Sequence, residues 1–180
     1  LYMAATITKE PSTGYAQMNK TVKVSLTAAG DGLKYTWYIK NAGSTKYSKS
    51  SVTSSSYSTT MGTKSKDRRV YCVVTDKYGK KVQSKTVILR ESVSITTQPK
   101  TTTVAKNTTA KVTVKARGDG LKYTWYVRNA SAKKYTKSSI TKSTYSVKMT
   151  ATTKNRRVYC IVTDKYGKKV QTQTVLLKMK

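Results

Sequence analysis

Histidine and phenylalanine are both absent from this 180-residue chain, and acids are scarce. Asp and Glu together number 7 against 36 Lys and Arg, for a formal net charge of +29. Without histidine there is no Ser-His or Cys-His pair to activate a nucleophile. So few carboxylates, and no phosphate-cradling Gly-rich loop, leave little from which to assemble another active site. The chain is therefore read as non-enzymatic, and no cofactor and no metal is expected. No apolar run approaches membrane-spanning length, and no signal-peptide pattern stands at the start. The chain opens LYMAAT rather than with an initiator Met, and reads as a fragment or a processed product. Cysteine occurs twice, once in each half, so neither half can close a disulfide of its own.

What is abundant is lysine, 29 residues against 7 arginines, together with Ser, Thr and 14 Tyr, which take the place of the missing Phe. A charge this one-sided attracts polyanions of any kind and opposes compaction by self-repulsion. Nucleic acid, teichoic acid, sialylated or sulfated glycans and anionic lipid surfaces are the partner classes it admits.

One pattern organises the rest. GDGLKYTWY (Gly30 to Tyr38) is followed by RRVYCVVTDKYGKKVQ (Arg68 to Gln83), and both return as Gly118 to Tyr126 and Arg156 to Gln171. The equivalent residues lie 88 positions apart with no gap: Trp37 and Trp125, Cys72 and Cys160, Asp31 and Asp119, Asp76 and Asp164. That period is too long for a solenoid unit and suits one small β-sandwich. The expectation is two copies of one domain, residues 1–90 and 91–180. Arg90 to Ser92 would be a short linker without Gly or Pro, which predicts restricted hinge motion.

Within a repeat, alternating apolar and polar segments are separated by Gly, Asn, Asp and Ser turns. Ile7 to Pro11 reads as an edge strand. Thr21 to Leu26 turns Val22, Val24 and Leu26 inward. Leu33 to Lys40 places Leu33, Tyr35, Trp37 and Ile39 on one face, with Lys34, Thr36, Tyr38 and Lys40 on the other. Asn41 to Ser56 is a polar loop or a short edge strand, and Tyr57 to Met61 is a strand. Arg69 to Thr75 turns Val70, Cys72 and Val74 inward. Asp76 to Gly79 is a hairpin turn, with Gly supplying the positive φ. Val82 to Leu89 is the last strand, with a register that shifts before Val87.

These residues resemble an immunoglobulin-like domain, which implies an all-β fold of two tandem sandwiches without a disulfide. The resemblance makes Trp37 the central Trp of the third strand and Cys72 the sixth-strand Cys. It departs where the partner Cys usually stands, thirteen residues before the Trp, at Val24 and Val112. The implied core is therefore apolar, Val24, Trp37 and Cys72 in one repeat and Val112, Trp125 and Cys160 in the other. The tyrosine corner is missing too, since Val70 and Val158 occupy its position. The run ITTQP, KVTVKA, GLKYTWYVRNA, YSV and RRVYCIVTDKYGKKVQTQTV from Ile95 onward is similar to the tandem Ig-like repeats of Clostridia-type cell-surface proteins. That resemblance covers the whole chain twice. It implies an extracellular bacterial surface protein whose modules act as stalk, spacer or adhesive units beside neighbouring Ig-like repeats. The departure is the charge, because such relatives carry more acidic residues.

Four features invite chemistry. Thiols enclosed by Val and Trp have their thiolates disfavoured, so Cys72 and Cys160 read as core. Asp31 with Asp76, and Asp119 with Asp164, fall on loops at one end of each domain, where Ca²⁺ would need more oxygens than two carboxylates supply. Backbone-capping turn chemistry is the preferred reading there. A Lys–Asn isopeptide bond needs a buried carboxylate, and the only Glu residues, Glu10 and Glu91, are expected outside the core strands. The outward face carries the binding reading. Tyr38, Lys40, Arg69 and Tyr71 should lie side by side, as should Tyr126, Arg128, Arg157 and Tyr159. Aromatics among cations suit stacking on sugars or bases, with charge contacts to carboxylate, sulfate or phosphate; a plain solvated sheet with cross-strand Tyr pairs is the alternative. Three functions are open: an adhesion or spacer module associating with anionic polymers, a nucleic-acid-binding protein, or a basic Ig scaffold decorating a filament or virion.

Overall fold

The computed structural model describes residues 2–180, and they are strand, turn and loop with no helix among them. They divide into two compact units, one ending at Glu91 and the other spanning Ser92–Lys180. The first holds β1 (Thr6–Lys9), β2 (Gly14–Ala16), β3 (Thr21–Ser25), β4 (Thr27–Ala29), β5 (Lys34–Lys40), β6 (Ser48–Lys49), β7 (Ser56–Thr60), β8 (Arg69–Thr75), β9 (Lys81–Gln83) and β10 (Val87–Glu91). The second repeats them as β11 (Ser94–Thr97), β12 (Thr102–Val104), β13 (Thr109–Thr113), β14 (Lys115–Arg117), β15 (Lys122–Arg128), β16 (Thr136–Lys137), β17 (Thr144–Lys148), β18 (Arg156–Thr163), β19 (Lys169–Gln171) and β20 (Val175–Met179).

In the first unit one sheet runs β2-β10-β8-β5-β6, with β9 also on β8. The β1–β4 and β3–β7 ladders form the facing layer. Alternation explains the layering: in β3, Val22 and Val24 are buried while Thr21, Lys23 and Ser25 are exposed. The inward residues meet around Trp37, which is fully buried with Val70, Cys72, Val74, Leu89 and Met61. The tilted Tyr57 ring lies 5.9 Å from Trp37, and the indole N–H donates to the Ser54 carbonyl at 2.8 Å. The second unit builds the same core on Trp125, Val158, Cys160, Val162 and Leu177. Each unit is an immunoglobulin-like β-sandwich, and both cysteines are free and buried.

Two regions differ from the sequence reading. The last strand shifts register before Val87, as the pattern predicts, but it is not continuous. Val82 pairs with Val74 and Val87 with Val70, so five steps on one strand oppose four on the other, a bulge. Ser84 fills the break: its Oγ accepts the Cys72 amide at 2.9 Å and donates to the Lys85 carbonyl at 2.9 Å. Thr172 does the same for Cys160. Arg90 and Glu91 are also not linker residues, because both belong to β10. Glu91 is buried there, with Lys66 Nζ 3.4 Å from its carboxylate. The expectation that Glu91 lies outside the core strands is thereby corrected. A polar residue at a strand end gives no alternation signal by which to place it.

The two cores also differ by a reciprocal exchange. A Cβ built on Gly14 would stand 2.8 Å from Val22 Cγ2 and 2.9 Å from Val24 Cγ1. In the second unit Thr102 occupies the Gly14 position, and Ala110 replaces Val22. Volume lost on one strand is regained on its neighbour, as close packing requires.

Candidate functional site

The outward face of the larger sheet is assembled by the β5–β8 ladder. Register places Trp37 opposite Cys72 on the buried side, so their neighbours Tyr38 and Tyr71 face each other outward, followed by Lys40 opposite Arg69. The second unit aligns Tyr126 with Tyr159 and Arg128 with Arg157. The Tyr38 and Tyr71 rings stack with centroids 5.1 Å apart and planes 14° apart; Tyr126 and Tyr159 stack at 5.2 Å and 13°. A third ring, from the polar segment that follows β5 or β15, closes each cluster. Tyr47 meets Tyr71 edge-on at 4.9 Å, and Tyr135 meets Tyr159 at 5.0 Å. Lys40 Nζ lies 5.1 Å from the Tyr47 centroid, and the Arg128 guanidinium 5.3 Å from that of Tyr135. Tyr47 sits in a Ser- and Lys-rich stretch without alternation, so its only sequence signal is its recurrence as Tyr135. Burial, and then the neighbouring Tyr38 and Tyr47, raises the Tyr71 phenol above the usual tyrosine range. Tyr159 is raised the same way, by burial and then by Tyr126 and Tyr135.

The consequence is a division of labour. The tyrosines spend much of their ring surface on one another, as cross-strand aromatic pairs do. The cations beyond them border an open groove. In the first unit it measures about 440 Å³ and is bordered by Lys40, Arg69, Arg90 and Asp67 among others. Its counterpart of about 460 Å³ is bordered by Arg128, Arg157, Asn129 and Asn155. The paired arginines of the RRVYC motifs likewise differ. Arg69 and Arg157 are exposed on this face. Arg68 instead donates to the Tyr57 hydroxyl at 2.6 Å and to Asn41 Oδ1 at 2.7 Å. Arg156 repeats both bonds with Tyr145 and Asn129.

All seven carboxylates have partners within the fold. Asp76 is buried and accepts from the Tyr2 hydroxyl at 2.6 Å and from the Ala5, Tyr78 and Lys80 amides. The Tyr2 hydrogen bond, aided by those amides, lowers its pKa against the opposing effect of burial. The same bond pushes Tyr2 up to about 12. Asp164 accepts from the Val93, Tyr166 and Lys168 amides. Asp31 lies 3.9 Å from Lys77 Nζ; Asp119 lies 3.7 Å from Lys165 Nζ and accepts from the Tyr166 hydroxyl. Glu10 accepts the Lys85 amide, Asp67 holds Arg90, and Glu91 holds Lys66. The turn aspartates thus tie strand ends to hairpins, with acceptor positions filled by protein donors. By unit, 16 cations stand against 5 acids and 20 against 2, so the formal charges are +11 and +18.

The thiols are core groups. Burial pushes Cys72 and Cys160 up to about 11, against a smaller opposing effect of a backbone hydrogen bond. A thiol so disfavoured as thiolate is a poor nucleophile at neutral pH.

No family model matches the chain, and no curated protein matches it. Solved structures do. The N-terminal four Ig domains of Dscam1 isoform 9.44 match all of this chain with a TM-score of 0.52 at 14% identity, over 46% of that structure's chain. Those of Dscam1 isoform 4.44 match all of it at a TM-score of 0.50 and 14% identity, again over 46% of that chain. The chain therefore spans about half the length of these structures. At such identity the likeness is one of fold: two tandem immunoglobulin-like domains.

Proposed function

We propose that the chain is a non-catalytic adhesion and spacing module of an extracellular bacterial surface protein. In this reading it associates with anionic polymers such as wall teichoic acid or acidic glycans. The observation that carries the proposal is the fate of the acids. Every carboxylate is engaged within the fold, while the cations remain in large excess in both units. Acids persist where a turn, strand end or ion pair uses them, and the excess charge is left for an external counter-charge. Tandem Ig-like folding, and the resemblance of the motif run to Clostridia-type surface repeats, support the extracellular and bacterial part.

Nucleic acid is the second reading, and the site geometry weighs against it. Base stacking needs open ring faces, whereas Tyr38, Tyr71 and Tyr47 pack on one another. Lysine-dominated charge also favours point contacts over bidentate base recognition. An array of acidic and neutral glycans, purified teichoic acid and duplex DNA, probed at low and at about 0.15 M salt, tests the proposal. Retention of an acidic glycan or teichoic acid at the higher salt, with DNA falling away, is expected. Equal retention of neutral glycans, or loss of every ligand at the higher salt, would overturn it.

A further inference from the structure

The two grooves are not equivalent: Arg128, Asn155 and Lys178 stand in the second unit where Lys40, Asp67 and Arg90 stand in the first. Arg128 and Arg157 stand directly opposite each other on β15 and β18, a like-charge pair that destabilises a sheet when uncompensated. The groove they border carries no carboxylate. Arg128 is held in place by the Ala132 carbonyl, which accepts from its Nη1 at 3.2 Å, and by the Tyr135 ring. Its Nε is the one buried side-chain polar atom without a hydrogen-bond partner among the described residues. An orphaned buried donor is costly; the donors that a ligand in the open groove can reach are the other guanidinium N–H groups of Arg128 and those of Arg157, which suit an oxyanion. Asn129 adds to this: its carbonyl oxygen accepts from Arg156 at 2.7 Å, which leaves its NH₂ as the end free to donate.

The first unit supplies the control. There Lys40 faces Arg69 in the same register, but Asp67 borders the groove and forms an ion pair with Arg90. Asn155 stands at the equivalent position of the second unit, and Lys178 replaces Arg90. Asp67 and Asn155 share the left-handed backbone conformation, φ 61° and 56°, which Asn and Asp tolerate better than most residues. The exchange therefore changes charge without changing the turn.

We infer that the Arg128–Arg157 groove of the second domain is a discrete binding site for a single oxyanion group, a carboxylate, sulfate or phosphate carried on a sugar or polyol. In the first domain Asp67, paired with Arg90, competes for the groove's cations and leaves that groove to diffuse contacts with polymer. This deepens the polyanion reading and rests on it, adding a local site to a diffuse field.

The test uses the full chain and three probes, N-acetylneuraminic acid, glucosamine 6-sulfate and glycerol 3-phosphate, titrated by calorimetry at about 0.15 M salt. One of them should bind with one site per chain. Asn155→Asp should weaken it by about tenfold or more, the scale of a charge-assisted hydrogen bond. Asp67→Asn should raise the stoichiometry to two. Lys111→Gln, on β13 of the other layer, changes the charge by the same amount and should leave binding within about twofold. Both exchanged residues occur naturally at the equivalent turn, so both variants are expected to fold, and their melting temperatures check it. Unchanged binding in Asn155→Asp, an unchanged stoichiometry in Asp67→Asn, or no binding of any probe would overturn the site. If polymers are still retained in those cases, the diffuse-charge reading survives without it. If the probes bind as described and no polymer is retained, the site stands and the adhesion reading falls.

Discussion

Tyr38 and Tyr71 lie face to face across neighbouring strands, their planes 14° apart, and Tyr47 closes on the edge of the pair. The rings thus act first as sheet stabilisers, and the proposed function assigns recognition to the cations beyond them. Each aromatic pair contributes about 0.5–1.5 kcal/mol beyond burial, and Tyr71 makes two. Tyr71→Ala is therefore expected to lower stability by roughly 1–3 kcal/mol in chemical denaturation, while Tyr71→Phe stays near wild type. Arg69→Gln should do the reverse, weakening polyanion binding with little effect on stability. A Tyr71→Ala variant of undiminished stability would show that the stack contributes nothing.

Gly14 and Val22 form a size pair that the second domain has inverted into Thr102 and Ala110. Gly14→Thr alone should cost about 1–3 kcal/mol by overpacking. Adding Val22→Ala should recover most of the loss, giving a favourable coupling in a double-mutant cycle. Strict additivity of the two changes would contradict the packing account.

Ser84 sits at the bulge where its hydroxyl serves the Cys72 amide. Removing it with Ser84→Ala orphans a buried N–H and should cost about 1–3 kcal/mol. Ser84→Thr should be tolerated, since Thr172 holds Cys160 in the same way. Hydrogen exchange at the Cys72 amide should accelerate in the alanine variant alone.

The buried thiols give a pH-dependent prediction. Their folded pKa of about 11 stands above the ordinary value of 9.0. A raised pKa contributes stability that is present below the ordinary value and lost as pH rises from about 9 towards about 11. Unfolding midpoints should fall across that window, more for wild type than for a Cys72→Ala, Cys160→Ala variant. At neutral pH neither thiol should react with a disulfide reagent until denaturant is added. Rapid labelling of the native chain would contradict the buried placement.

Much of the fold was legible because alternation and an 88-residue period reinforce each other. Trp37, Cys72, Val22, Val24 and Val70 all lie buried where their strand patterns place them. What escaped was polar structure whose partners are distant in sequence. Glu91 is buried near Lys66, and the two are 25 positions apart. Tyr47 belongs to an aromatic cluster but sits in a Ser-rich loop. The register shift before Val87 was legible, but the Ser84 hydroxyl that fills the break was not. The grooves are least legible of all, since Asp67 and Asn155 read as ordinary turn residues until Arg90 is seen beside the first. Side-chain alternation placed Tyr38, Lys40, Arg69 and Tyr71 on one face; it carried no word on whether the rings would stay open or close on one another.

The most direct test of the central claim is the salt dependence of binding to purified wall teichoic acid and to a sialylated or sulfated glycan. It should be measured for the wild-type chain and for a variant carrying Lys40→Gln, Arg69→Gln, Arg128→Gln and Arg157→Gln. The account predicts that the wild type keeps one of these ligands at about 0.15 M salt. The variant should lose it there and show a shallower slope of log affinity against log salt, because it releases fewer counter-ions. A variant that binds as the wild type does, with the same slope, would contradict the claim that these two cation-bordered faces recognise anionic polymers.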